Sequence, residues 1–382
     1  MLKVVTIIGA RPQIIKAAAV SRVFRKEFPN RVREVLVHTG QHYDENMSEV
    51  FFAELEIPKP DYNLSAGSDT PGKQTAAMLS GIEEVLLKEK PGAIILYGDT
   101  NSTLAGALVG SKLGVPVVHI EAGLRSFNKR MPEEINRITC DHAAALLFAP
   151  TKASFDNLVK EGIRADTEPP YGVGNPKIFH CGDVMYDNSV HFASLAGERS
   201  KVMERLGLEE NRFVLATIHR DSNTDAAERL NALFEALLDV HAQNAITVVL
   251  PLHPRTRKCL PEKLDKKLLE RISSTKGLLI SEPLPFLDMI QLEKNCRLVM
   301  TDSGGVQKEA FYFGKPCIIL RPETEWVELV SSGAAILAGA DRKKIAEAYL
   351  QLKDKKLNNL PAFYGDGHAA DFICREIVKF LS

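Results

Sequence analysis

The sequence predicts an α/β protein of two consecutive halves, each a parallel sheet with helices on both faces. Three observations carry this. Short β-branched or apolar runs alternate with amphipathic helical stretches along the whole chain. The alternation breaks at 164–177 (RADTEPPYGVGNPK), a stretch rich in Pro and Gly, and then restarts. In both halves polar or glycine-bearing loops follow the runs, and open parallel sheets bind ligands outside the carboxyl ends of their strands. A length of 382 residues leaves room for two domains. They are expected at 1–175 and 176–365.

Composition excludes several classes. The chain is 45% hydrophobic and 25% charged with a net charge of −1. No broad basic field argues for nucleic acid or a membrane surface. The N-terminal apolar run is too short for a signal peptide, and no stretch reaches the length of a membrane span. A cytoplasmic location is expected. The six cysteines are scattered without a C-x-x-C pair, and Cys317 reads as a buried structural thiol. His38, His42 and His142 lack zinc spacing, and His119 in an apolar run reads as a satisfied core residue, so no metal is expected.

In the first half, 3–8 (KVVTII) reads as a strand and 13–26 as a helix, joined by Gly9-Ala10-Arg11-Pro12. A glycine turn entering a helix is a ready anion site, and Arg11 offers it a planar fork. Lys16 lies one turn on. No G-x-G-x-x-G or Walker A pattern occurs, which argues against NAD or a P-loop. Further strands are expected at 34–38, 94–97, 115–119 and 145–148, and helices at 44–55, 71–89 and 100–112. Asp99 stands just past one strand and Glu121 just past the next. Glu133 and Glu134 follow Pro132 at a helix start. Each acid has a structural alternative. Asp99 could cap the helix at 100, and the two glutamates suit a first helical turn.

In the second half strands are expected at 178–181, 212–217, 246–250, 278–280, 297–300 and 316–320. Helices are expected at 199–206, 341–352 and 369–380. His219 and Arg220 follow the 212–217 strand; a histidine there can exchange a proton near neutral pH, and the arginine suits an anion. Phe286 follows the 278–280 strand, as a flat wall for a base or as core. Thr301-Asp302-Ser303-Gly304-Gly305 is the most specific local motif. Gly304 and Gly305 let backbone amides approach a phosphate at a helix N-terminus, and Ser303 adds a hydroxyl. Glu309, one turn on, could accept two ribose hydroxyls. Arg321 ends the next strand.

At these residues the chain resembles the non-hydrolysing UDP-N-acetylglucosamine 2-epimerase family. GARPQIIK, GDTNSTLAGAL, HIEAGLRS, MPEEINR, TIHR, TDSGGVQKEAF and YGDGHAADFI carry the likeness, in order and over nearly the whole chain. The resemblance implies a GT-B fold of two Rossmann-like domains with the active-site cleft between them. It also implies that the C-terminal helix, 366–382, crosses back to the first domain, and that the enzyme is a homodimer without cofactor. By position it implies Asp99, Glu121, Glu133 and His219 as the catalytic group. Arg11 and Lys16 match N-terminal contacts, Ser303, Gly304 and Gly305 the diphosphate loop, Glu309 the ribose contact, and Arg321 a further site residue. Arg220 and Phe286 complete the expected UDP site.

The implied reaction is inversion at C2 of a UDP-2-acetamido sugar, UDP-GlcNAc to UDP-ManNAc first. UDP leaves C1, a 2-acetamidoglucal forms, and UDP is added back. The chain departs from the common pattern after Arg220 (DSNTD), after Arg321 (PETEWVE) and at 41–47 (QHYDENM). These departures look like a subgroup that includes UDP-2,3-diacetamido-2,3-dideoxyglucuronate 2-epimerases, which is the alternative substrate. A GT-B glycosyltransferase is the alternative of another class, sharing the fold and the nucleotide grip. It would need an acceptor site and would not need the three acids.

Overall fold

The structure is a computed structural model, and it describes residues 1–41, 56–67, 69–357 and 361–382. The helix expected at 44–55 lies outside the described residues, as does His42. The chain forms two compact units, Met1–Val190 with Ala362–Ser382, and His191–Pro361. Among the described residues no helix is long and apolar enough to cross a membrane.

The first unit holds seven parallel strands: β1 (Leu2–Ile8), β2 (Val32–His38), β3 (Tyr62–Asn63), β4 (Ala93–Tyr97), β5 (Val117–Ile120), β6 (Leu146–Ala149) and β7 (Lys177–His180). Their order is β3-β2-β1-β4-β5-β6-β7. The central strands β4, β5 and β6 are buried at every position. Strands covered on both faces read as unbroken apolar runs, which is why their ends are easy to place. The helix Asn101–Leu113 starts at Thr100 and stops at Gly114, whose φ of 70° supplies the left-handed cap. The C-terminal helix Ala369–Leu381 belongs to this unit; Asp187 accepts the N–H groups of Ala369 and Ala370 at 3.2 and 2.7 Å.

The second unit holds six parallel strands: β8 (Phe213–Thr217), β9 (Thr247–Pro251), β10 (Leu278–Ser281), β11 (Leu298–Thr301), β12 (Cys317–Ile319) and β13 (Ala335–Leu337). The order β10-β9-β8-β11-β12-β13 is the Rossmann order. Both units are thus Rossmann-like, the two-domain α/β class of the GT-B fold. Cys317 is buried in β12, as read from the sequence.

Several elements differ from the sequence reading, and three of them bear on the domain division. The strand at 177–180, taken as the restart of the second half, pairs with β6 and closes the first sheet. The Pro- and Gly-rich stretch before it is therefore a long connection within the first unit. The division at 190/191 falls inside the helix Val184–Arg199, which the sequence reading lacks. The helix expected at 199–206 is instead the end of that one plus a short turn of helix, Val202–Arg205.

Candidate active site

In each unit the strand order reverses at one place, between β1 and β4 and between β8 and β11. Crevices form at such switch points, outside the carboxyl ends of the strands. Arg11 and Asp99 follow the two strands of the first reversal, and His219, Arg220 and Ser303 follow those of the second; Arg321 and Phe286 follow other strands of the second sheet.

In the first unit, Gly98 and Asp99 follow β4, and Glu121 follows β5. The N–H groups of Glu121 and Ala122 both donate to the Phe148 carbonyl, at 3.1 and 3.0 Å. This turn puts Glu121 at φ 73°, a region that non-glycine residues rarely occupy. Strain of this kind persists where the surroundings impose it, often at functional sites. The turned side chain is 8% exposed and pairs with the Nζ of Lys16 from the helix Arg11–Glu27. Gly98, at φ 63°, leaves room for the pair: a Cβ there would stand 3.0 Å from Glu121 Oε2 and 3.1 Å from Lys16 Nζ.

Asp99 does not cap the following helix; Thr100 does, accepting from the Thr103 N–H. The Asp99 carboxylate instead takes two bonds from Arg137 on the helix Pro132–Ala143, at 2.9 and 2.6 Å. Burial pushes Asp99 above the usual carboxylate range, and the neighbouring cations Arg137 and Lys16 offset this only in part.

The Glu133 and Glu134 pair splits. Glu134 is 1% exposed and accepts the N–H groups of Ser126 and Phe127 at 2.9 and 2.8 Å, with Arg137 at 2.8 Å. Burial opposes its charge, but these bonds hold it below its ordinary range. Glu133 is half-buried and takes no hydrogen bond or ion pair among the described residues. Successive helical residues point about 100° apart, so one glutamate is built into the fold and the other points away from those bonds.

His119 is fully buried, and both ring nitrogens are engaged: Nε2 with the Gly98 carbonyl at 2.8 Å and Nδ1 with Asp141 at 2.7 Å. It is the satisfied core residue expected. Arg11 is exposed at the start of its helix. The anion site expected at that turn is partly filled from within. Gln13 Oε1 takes the Gly9 and Ala10 amides at 2.9 and 3.2 Å, while its Nε2 reaches the Tyr97 carbonyl and Thr103 at 3.0 Å each.

In the second unit the organiser is Asp302, which the sequence reading passed over. It is fully buried and accepts the His219 N–H, the Arg220 N–H and Asn223 Nδ2, each at about 3.0 Å. His219 and Arg220 are thereby pinned past β8, beside the loop that follows β11. The His219 ring has Nδ1 3.3 Å from Asp302 and lies 5.4 Å from the His253 ring. Burial, with His253 and Arg220 nearby, lowers its pKa despite Asp302. A neutral ring with Nδ1–H toward Asp302 leaves Nε2 as a proton acceptor.

Ser303 caps the helix Gly304–Tyr312, its Oγ accepting from Val306 at 3.4 Å. A Cβ on Gly304 would meet Glu325 Oε1 at 2.6 Å, whereas one on Gly305 would make only an ordinary contact with Ser303 Oγ at 3.8 Å. Glu309 is buried one turn on, and Arg321 pairs with Glu325 at 3.0 Å. Phe286 is 6% exposed with its ring edge-on to Phe192, a packing role.

Comparison with known proteins shows the family. The profile of the family described as UDP-N-acetylglucosamine 2-epimerase matches residues 26–378. The UDP-2,3-diacetamido-2,3-dideoxy-D-glucuronate 2-epimerase of Pseudomonas aeruginosa is 48% identical, over 99% of this chain and 100% of that one. The UDP-N-acetylglucosamine 2-epimerase of Methanocaldococcus jannaschii is 41% identical, over 98% of each chain. The crystal structure of the M. jannaschii enzyme with UDP-GlcNAc and UDP superposes with a TM-score of 0.86, covering 99% of this chain and all of that one. The chain belongs to the UDP-N-acetylglucosamine 2-epimerase family.

Proposed function

We propose that the protein inverts C2 of a UDP-2-acetamido sugar without hydrolysing it. The observation that carries this is the pair of acids Glu121 and Asp99, one strained and the other burial-shifted, with Glu133 on the helix that grips Asp99 and without hydrogen bond or ion pair among the described residues. A C2 proton has no carbonyl beside it and is scarcely acidic while C1 remains bonded to oxygen. The C1–O bond to UDP must break first or together with proton loss. Carboxylates stabilise the positive charge that develops on the sugar, and one of them takes the proton. The departing diphosphate is received by preorganised donors, the amides of Gly304 and Gly305, Ser303 Oγ and Arg11, and His219 joins them once its Nε2 has taken a proton. A C1=C2 glycal and UDP result. Protonation of C2 from the opposite face and return of UDP to C1 complete the inversion. Asp99, whose pKa is raised by burial, can hold a proton nearer neutral pH than an ordinary aspartate. Glu309 accepts the ribose hydroxyls in this reading, and Arg220 and Arg321 add charge toward the phosphates.

Two sugars compete, and the 48% identity to the diacetamido-glucuronate enzyme favours that substrate over UDP-GlcNAc. Proton NMR in D2O with each nucleotide sugar, and no added cofactor, decides. The expected result is an epimer deuterated at C2 with one of them. Turnover of neither, or transfer to an added acceptor without C2 exchange, would sink the epimerase reading. The homodimer implied by the family resemblance is part of the proposal, and a monomeric mass by light scattering would remove it.

Ser303→Ala separates the loop's two roles. Loss of the helix cap lowers stability by about 1 kcal/mol, read as Tm. Loss of the hydroxyl to phosphate weakens UDP by about 1 kcal/mol or more, read by calorimetry. An unchanged UDP affinity with a lowered Tm would leave Ser303 as a cap only.

A further inference from the structure

Arg137 holds two carboxylates with one guanidinium. Its Nε and Nη2 both reach Asp99 Oδ2, at 2.9 and 2.6 Å, and its Nη1 reaches Glu134 Oε2 at 2.8 Å. Arg137 is 7% exposed and Glu134 is 1% exposed. The remaining bonds of Glu134 tie it to the turn before its helix: the Ser126 and Phe127 N–H groups at 2.9 and 2.8 Å, and the Ser126 hydroxyl at 3.1 Å. Phe127 stands at φ 59°. That conformation is unfavourable for a residue with a side chain, so the glutamate holds the turn in place. The adjoining Asn136 donates to the Asp99 carbonyl at 2.9 Å. One helix thus grips Asp99 by both its backbone and its side chain.

The grip is not needed to start the helix at 101, since Thr100 performs that capping. Nor is it a loose surface ion pair, since the Arg137 side chain is 8% exposed and its bond to Glu134 is buried. A planar fork fixes direction in a way that a lysine ammonium does not.

We propose that Arg137 is a positioning residue for Asp99, aiming its carboxylate at the substrate, with Glu134 as the anchor that holds the arginine. This rests on the reading of Asp99 as a catalytic group. The charged groups facing Asp99 are Arg137, Lys16 and Glu121. Burial raises the Asp99 pKa, Arg137 and Lys16 lower it, and Glu121 raises it. Removing the arginine removes a lowering influence, so Asp99 then gives up its proton only at higher pH.

The test is the pH profile of kcat for Arg137→Gln and Arg137→Lys, with Asp99→Asn alongside. Arg137→Gln should lower kcat roughly a hundredfold through lost alignment, leave UDP affinity unchanged, and move one limb of the profile to higher pH. Arg137→Lys keeps the charge, so its limb should stay near that of the wild type while kcat still falls. A limb unmoved in Arg137→Gln, or wild-type kcat in Arg137→Lys, would overturn the proposal. If Arg137→Gln does not fold, the kcat of Arg137→Lys decides alone. Full turnover in Asp99→Asn would instead overturn the reading of Asp99, independently of the arginine.

Discussion

Asp99→Asn and Glu121→Gln are each expected to cut kcat by about 10²- to 10⁴-fold, the range for loss of a positioned acid or base. UDP affinity should stay unchanged, because the diphosphate donors in this reading sit on other loops. The two variants should differ in stability. Asn at 99 keeps the shape and can still accept bonds from Arg137. Gln at 121 leaves Lys16, whose side chain is 12% exposed, without its counter-charge. Removing one partner of a buried pair costs about 3–5 kcal/mol. A clear fall in Tm should accompany Glu121→Gln and not Asp99→Asn. Rates are therefore compared per folded protein, at a temperature below both transitions. Wild-type turnover in either variant would take that acid out of the chemistry.

The residues of this site were legible in the sequence to the extent that they follow buried strands. β4, β5 and β11 are apolar runs with sharp ends, so Asp99, Glu121 and the 302–305 turn could be placed without any tertiary information. The partners were not legible. Arg137, Asp302, Gln13 and Asp141 act on groups distant in the chain, such as Arg137 on Asp99 at a separation of 38 residues and Asp302 on His219 at 83. Nothing local in a polar residue announces such a partner. The split between Glu133 and Glu134 was hidden for another reason: it depends on how the helix is rotated about its axis. The helix Val184–Arg199 was missed because polar Asp187, Asn188 and Ser189 are buried along with Met185, Phe192 and Ala196 while Val190 is exposed, so its sequence shows no clean apolar stripe.

His119→Phe is expected to destabilise the first unit by about 3–5 kcal/mol, because it breaks a buried ionic network rather than a packing contact. The Gly98 carbonyl can only accept, so Nε2 carries a proton. Ionised Asp141 can only accept, so Nδ1 carries one as well. Burial opposes the imidazolium, but the adjoining Cys140 and Asp141 outweigh it and hold the His119 pKa well above its ordinary value. Burial likewise opposes the Asp141 charge, and His119 with Arg125, 2.7 Å away, holds Asp141 below the usual range. A raised histidine pKa contributes its stability fully below the unfolded value and loses it as pH rises through the folded one. A depressed aspartate contributes above its unfolded value and loses it as pH falls through the folded one. The Tm difference between wild type and His119→Phe should therefore be largest between about pH 4 and about pH 6.5 and shrink above that window. A difference that stays flat from pH 5 to pH 9 would mean that the ring is neutral and the assignment wrong. Turnover should fall as well, since His119 holds the carbonyl of Gly98, the residue that seats the Lys16–Glu121 pair and leads directly into Asp99.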